Sequence, residues 1–345
     1  MSETLLQTTV VGSYPQPDWL IDKGMLRGQY VPRVKAEELW NVIPVLREEA
    51  LRDATALAIY DMETAGLDVV TDGEICRESY SNHFATALAG LDGEQPATIT
   101  NRRGRNVPVL RVVGPIRHQV PVEVNWARFL RSRTRRITKV TLPGPFTLAQ
   151  QVKDEFYGDP QEVALAFASA LNAEARLIQE TGIDVIQFDE PWLRNDPKAA
   201  RAFGVKALNR AVEGLTVRTA VHVCFGYAFL RIGDKPNSYE YLAELAESQI
   251  HEISIEAAQP NLNLEVLREL PRKRIALGVL DHATADSESV ETVAGRIRAA
   301  LKFVSPERLM PAPDCGMKYM NRTVAFTRLK NLCLAAAQVR RELAP

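Results

Sequence analysis

Little in this chain is in excess. Its 345 residues carry 42 lysines and arginines against 43 aspartates and glutamates, a formal net charge of -1. A chain without net basic character has no general field that draws in a polyanion, which argues against nucleic acid as a partner. Residues 102–117 and 128–139 are locally basic, but short basic stretches read as solvated faces. No run approaches the roughly 20 apolar residues of a membrane-spanning helix. Residues 1–7 lack the basic and apolar regions of a signal peptide. The expected location is therefore the cytoplasm, with no membrane partner. Cysteine is sparse, four in the whole chain, too few for a disulfide framework; in a reducing compartment these are free thiols or metal ligands. Internal repeats, low-complexity tracts and a dividing linker are all missing, so residues 1–345 are expected to form one domain. Apolar residues at 46% and charged residues at 25% are ordinary for a soluble enzyme.

What the chain does have is alternation. Strand-like runs occur at 8–12, 67–74, 137–143, 183–190, 217–224, 252–256, 275–281 and 309–315. Amphipathic helical patterns fall between most of them, at 37–65, 161–181, 286–304 and 323–343. In 161–181, Val163, Leu165, Ala166, Phe167, Ala170, Leu171, Ala175 and Ile178 fall near a 3.6-residue period. Eight strand-then-helix units predict an α/β fold of the (β/α)8 TIM-barrel type; a doubly wound open sheet is the alternative. The segment between the second and third runs is too long for one helix. Residues 90–120, rich in Gly, Arg, Pro and alternating Val, read as a hairpin inserted there, over the barrel mouth.

Reactive side chains gather at the C-terminal ends of these runs: Ser13, Glu74, Asp189, Glu190, His222, Cys224, Glu256, Asp281 and Cys315. A barrel brings those ends to one mouth, where barrel enzymes carry their chemistry. In His222-Val-Cys224 the two side chains share one face of a strand. Imidazole and thiolate together suit zinc, and Glu256 and Cys315 end two later strands. These four predict a Zn2+ site with two sulfurs, one nitrogen and one oxygen. Taken singly, each residue also has a plain structural reading. Cys76 and Cys333 are expected to be structural, the latter inside the last helix.

Ligands spread over about ninety residues and meeting at a mouth suggest more than a structural ion. A carboxylate such as Glu256 is a replaceable ligand that an incoming thiol can displace. A coordinated thiol is held as thiolate near neutral pH, and the thiolate is the nucleophile. The predicted reaction class is alkyl transfer to such a thiol. Gly12 and Ser13 offer donors to a carboxylate, and Glu74 and Asp189 face an ammonium group. That favours an amino acid as the thiol's carrier.

These residues carry a resemblance. Val11-Gly-Ser-Tyr-Pro15, Asp72-Gly-Glu74, Leu142-Pro-Gly-Pro145, Asp189-Glu-Pro191, His222-Val-Cys224 and Pro313-Asp-Cys-Gly-Met-Lys318 are similar, in the same order, to motifs of the catalytic barrel of cobalamin-independent methionine synthases. The resemblance spans nearly the whole chain. It implies zinc on His222, Cys224, Glu256 and Cys315, and homocysteine held by Ser13, Glu74 and Asp189. The methyl donor it implies is 5-methyltetrahydrofolate; some short relatives take the methyl from a methylcorrinoid protein instead. The family's histidine after the seventh strand stands in an Asp-x-His arrangement. Here the order is Asp281-His282-Ala283, so Asp281 and His282 are candidates for general acid with the histidine one place early. The family's tryptophan after the third strand has no counterpart in 150–157.

Three other readings stay open: alkylation of another thiol, as in epoxyalkane:coenzyme M transferases; a non-catalytic barrel that binds zinc and a thiol; and a metal-free, decarboxylase-like barrel.

Overall fold

The computed structural model describes residues 4–28, 33–34, 36–100, 106–194, 196–226, 235–283 and 286–344. Its strands are β1 Val69–Val70, β2 Ala89–Thr100, β3 Asn106–Arg117, β4 Ile137–Pro143, β5 Val152–Asp154, β6 Val185–Asp189, β7 Arg218–Val223, β8 Glu252–Ile255, β9 Arg274–Leu280 and β10 Leu309–Pro313. Seven of them form one sheet in the order β1-β4-β6-β7-β8-β9-β10, every pair parallel. Helices fill the connections, among them Pro44–Ala65, Pro160–Gln179, Val290–Ala300 and Arg322–Leu343. Their starts follow local chemistry: Pro44 and Pro160 occupy the first turn, where no backbone donor is needed. Asp159, Ser289 and Asn321 cap Gln161, Thr292 and Thr323 through their side chains.

The expected first strand, 8–12, forms no regular ladder and bends at Gly12. It lies between β10 and β1 all the same. Thr9 N donates to Pro311 O at 3.1 Å, and Val69 N donates to Thr8 O at 3.0 Å. The missing ladder bonds are replaced from inside the barrel. Lys139 Nζ donates to Val10 O, and Gln187 Nε2 donates to Val11 O at 2.8 Å. A buried carbonyl left unmade costs about 1–3 kcal/mol, so two interior side chains close the barrel where the backbone does not. The run predicted over 67–74 is also short, because Gly73 and Glu74 turn the chain into positive φ (69° and 52°) just past β1.

The barrel interior is polar at both ends. Near the strand starts, Glu252 pairs with Arg218 at 3.1 Å and Arg274 donates to Gln7 Oε1 at 2.6 Å. Val69, Ala276, Met310 and Ala312 form a small apolar plug, separate from the larger core under the helices.

The inserted hairpin is present: β2 and β3 pair antiparallel from Ala89–Arg117 to Thr100–Asn106. Gly90 is required in it, with φ of 81°, since a Cβ there would lie 2.5 Å from the carbonyl oxygens of Gly114 and Pro115. β5, in the connection leaving β4, joins β3 in parallel and ties the hairpin to the mouth side of the barrel. Of the basic stretch 102–117, residues 102–105 lie outside the described residues. Arg111 pairs with Asp92 at 2.5 Å and Glu155 at 3.1 Å. Among the described residues, no helix is long and apolar enough to cross a membrane.

Candidate active site

Register sets the site. In adjacent strands Asp189 is level with His222, and His222 with Ser254. Cys224 follows β7 by one residue, Glu256 follows β8 by one, and Cys315 follows β10 by two. The atoms that His222, Cys224 and Cys315 could offer a metal ion all lie within 4.8 Å of one another, and all three residues are buried. The two sulfurs are 3.9 Å apart, with Cys315 donating to Cys224. That hydrogen bond, together with His222, holds the Cys224 thiol well below its usual range. Cys315 is pushed up in turn, by the same bond and by burial. Burial alone would lower His222; the Cys224 thiolate and the Asp189 and Glu256 carboxylates raise it instead.

His222 Nδ1 is 2.9 Å from Ser254 Oγ, while Nε2 is buried with no hydrogen-bond partner. A buried orphan nitrogen is costly. One that faces two thiols is explained by a metal ion, and two sulfurs with one imidazole nitrogen suit zinc. The residues present therefore fit the ion.

Glu256 stands outside that group of three. Its Oε1 accepts from Phe225 N at 2.8 Å and its Oε2 from Lys235 Nζ. Burial and the Cys224 charge push it up to about 8, against the pull of Lys235.

A second set of groups opens beside the first. Glu74 Oε1 accepts from Thr141 Oγ1 at 3.0 Å; its Oε2 is buried without a partner, and so is Ser13 Oγ. Asp189 Oδ1 accepts from Gln187 Nε2 at 2.8 Å. Burial pushes Asp189 up to about 7, with Glu74 repelling its charge and His222 opposing the shift. Two buried carboxylates and a buried hydroxyl with unsatisfied atoms suit a ligand that brings both a cationic and an anionic group. An α-amino acid supplies both. Gly12 lets these side chains approach the backbone: a Cβ there would stand 2.7 Å from Thr141 Cγ2 and closer still to Glu74 Oε1.

The expected acid, His282, is engaged elsewhere. Its Nε2 lies 2.8 Å from Cys315 O, and its Nδ1 is 3.4 Å from Arg328 Nη1. This fits a neutral ring that donates from Nε2 and accepts at Nδ1. Burial, with Arg328 and Lys235 nearby, lowers it to about 3. Asp281 Oδ1 accepts from Ala283 N at 2.7 Å.

Sequence reading missed several supports. Asp314 accepts from Ala257 N, Ala258 N and Gln259 N at 3.0, 3.0 and 2.6 Å, binding the loop of Glu256 to that of Cys315. Glu190 accepts from Phe146 N, Thr147 N and Thr147 Oγ1, fixing the loop after β4. Asp314 sits inside the Pro-Asp-Cys motif and Ser254 two places before Glu256, so both carried a signal of position. Lys235 carried none. A second group, Cys76, His83 and Glu123, also lies within 4.8 Å, but Arg77 Nε holds Glu123 at 3.0 Å and supplies the local positive charge. Cys333 is buried in the last helix, as expected.

The geometry agrees with comparisons to known proteins. Residues 6–338 match the family described as "Cobalamin-independent synthase, Catalytic domain". A methionine synthase of Thermococcus kodakarensis is 32% identical over 346 residues, covering 100% of this chain and 96% of the relative. One of Saccharolobus solfataricus is 32% identical, covering 98% and 96%. The solved structure of a B12-independent methionine synthase from Shewanella sp. W3-18-1, in complex with selenomethionine, superposes with a TM-score of 0.89 at 33% identity over 99% of both chains. On motif order, barrel architecture and full-length similarity alike, the chain belongs to the cobalamin-independent methionine synthase family, whose catalytic domain it matches.

Proposed function

We propose that this chain is a zinc-dependent methyltransferase that converts L-homocysteine to methionine, with residues 1–345 acting as one catalytic barrel. The observation that carries the reading is the unpartnered, buried Nε2 of His222 facing the thiols of Cys224 and Cys315. The relatives' names, and the selenomethionine bound by the similar Shewanella protein, support the same substrate class.

His222, Cys224 and Cys315 would hold Zn2+, with Glu256 as the exchangeable fourth group. When bound, the ion keeps a substrate thiol deprotonated near neutral pH. Ser13 Oγ donates to the substrate carboxylate. Glu74 Oε2 and Asp189 accept from its ammonium. These contacts aim the sulfur at the donor methyl, and such positioning lowers the barrier by removing rotational and translational freedom beforehand. The thiol proton leaves to solvent. The S–CH3 bond forms as the donor–CH3 bond breaks, and its electron pair stays on the donor. His282, donating to the Cys315 carbonyl, holds that loop; the proton that a departing methyltetrahydrofolate nitrogen takes up comes from solvent, with the Asp281–His282 pair as the alternative source. The donor is methyltetrahydrofolate or a methylcorrinoid, the latter on a protein partner.

Calorimetric titration of the zinc-loaded protein with L-homocysteine and with 2-mercaptoethanesulfonate, in buffers of different ionisation enthalpy, tests this. Homocysteine binding with release of about one proton is expected. Binding of the sulfonate alone moves the function to another thiol. Binding of neither refutes the thiol site. Tight thiol binding without turnover, with either donor, marks a non-catalytic barrel.

A further inference from the structure

Glu256 and Lys235 form an ion pair sealed from solvent, with side chains 0% and 1% exposed. Lys235 comes from the connection after β7, the strand that carries His222 and Cys224. Its ammonium has Glu256 as its hydrogen-bonding partner, and its charge reaches Asp314, Cys315 and His282. The other Glu256 oxygen is taken by Phe225 N. Both oxygens are thus committed to groups outside the His222, Cys224 and Cys315 set.

A buried carboxylate that gives up one cation must find another, because an unpaired buried charge is heavily destabilised. An exchangeable carboxylate ligand therefore needs a second cation within reach of the position it leaves. We infer that Lys235 is a positioning residue that receives the Glu256 carboxylate when a substrate thiol takes its place beside Cys224 and Cys315. This deepens the proposed function and rests on its reading of the metal site. Charge balances across the exchange. A thiolate arrives as a carboxylate departs, the carboxylate is neutralised by Lys235, and the thiol proton goes to the buffer. Without the ammonium, Glu256 has the metal as its remaining cation and resists displacement.

The test uses the full chain, Lys235→Met and Lys235→Arg, each loaded with zinc. Zinc affinity is read by chelator competition, thiol affinity by calorimetry with L-homocysteine, and sulfur coordination by zinc X-ray absorption. In wild type, homocysteine should raise the sulfur count at zinc from two to three. Lys235→Met should hold zinc at least as tightly as wild type, bind homocysteine at least tenfold more weakly, and stay at two sulfurs at wild-type saturating thiol. Lys235→Arg should restore the third sulfur. Unchanged thiol binding in Lys235→Met overturns the inference. So does parallel loss of zinc and thermal stability in both variants, which marks a structural pair. Wild type that takes up no zinc refutes the proposed function itself, and the inference falls with it.

Discussion

His222 on β7 and Ser254 on β8 are register partners, and the imidazole Nδ1 lies 2.9 Å from the serine oxygen. The contact engages Nδ1, leaves Nε2 as the nitrogen that a metal ion would use, and fixes its direction. Ser254→Ala should therefore weaken zinc binding about 10- to 100-fold, the usual effect of losing an outer partner of a metal-bound histidine. Chelator competition measures it. Cys224→Ser and Cys315→Ser should abolish stoichiometric zinc outright, and full retention in either removes that residue from the ligand set.

Gly12 is close enough to Glu74 that any side chain displaces the carboxylate. Gly12→Ala should leave zinc content unchanged and weaken homocysteine by about 1–3 kcal/mol, the worth of a charge-assisted hydrogen bond. Calorimetry beside metal analysis separates the two effects. A variant that binds homocysteine normally would take Glu74 out of the pocket.

Asp189 is held neutral until about pH 7 by its burial. Its raised value means that a proton must leave before it can accept from an ammonium. Affinity for homocysteine should then fall as pH drops below 7. Two protons are released there, one from the thiol and one from Asp189, so log Kd should change by up to about two per pH unit. Asp189→Asn should cut that slope to about one. An identical slope in both proteins argues against the contact.

Asp314 satisfies three backbone N–H groups in the loop after β8. Asp314→Ala strands them, at about 1–3 kcal/mol each, and frees the segment that carries Glu256. Expected results are a lower Tm and weaker zinc retention. Asp314→Asn should recover part of both, since its amide keeps one acceptor. Normal stability in Asp314→Ala would show that the loop is held by other contacts.

Much of this molecule could be read without coordinates, and the reasons are local. Period-2 and period-3.6 patterns alternate down the chain because each strand and helix must bury one face. Eight such units favour a closed barrel over a doubly wound open sheet. Reactive residues at the ends of the runs then share a mouth, which put Ser13, Glu74, Asp189, His222, Cys224, Glu256 and Cys315 on one list before any distance was known. The first run shows where that reading thins. Residues 8–12 look like any strand, but side chains of Lys139 and Gln187 complete their hydrogen bonding. Nothing in the local pattern marks those two residues for that task.

The sequence by itself determined the repeating architecture and the residue types at the mouth, since both depend on neighbours a few positions away. Only the tertiary structure decided which atoms are left without partners and which are taken. Ser254 reaches His222 through strand register, Asp314 reaches across from the end of β10 to the β8 loop, and Lys235, after β7 in the chain, holds Glu256. Such pairings depend on three-dimensional separations of a few ångströms between distant parts of the chain, and hydrophobic periodicity carries no record of them.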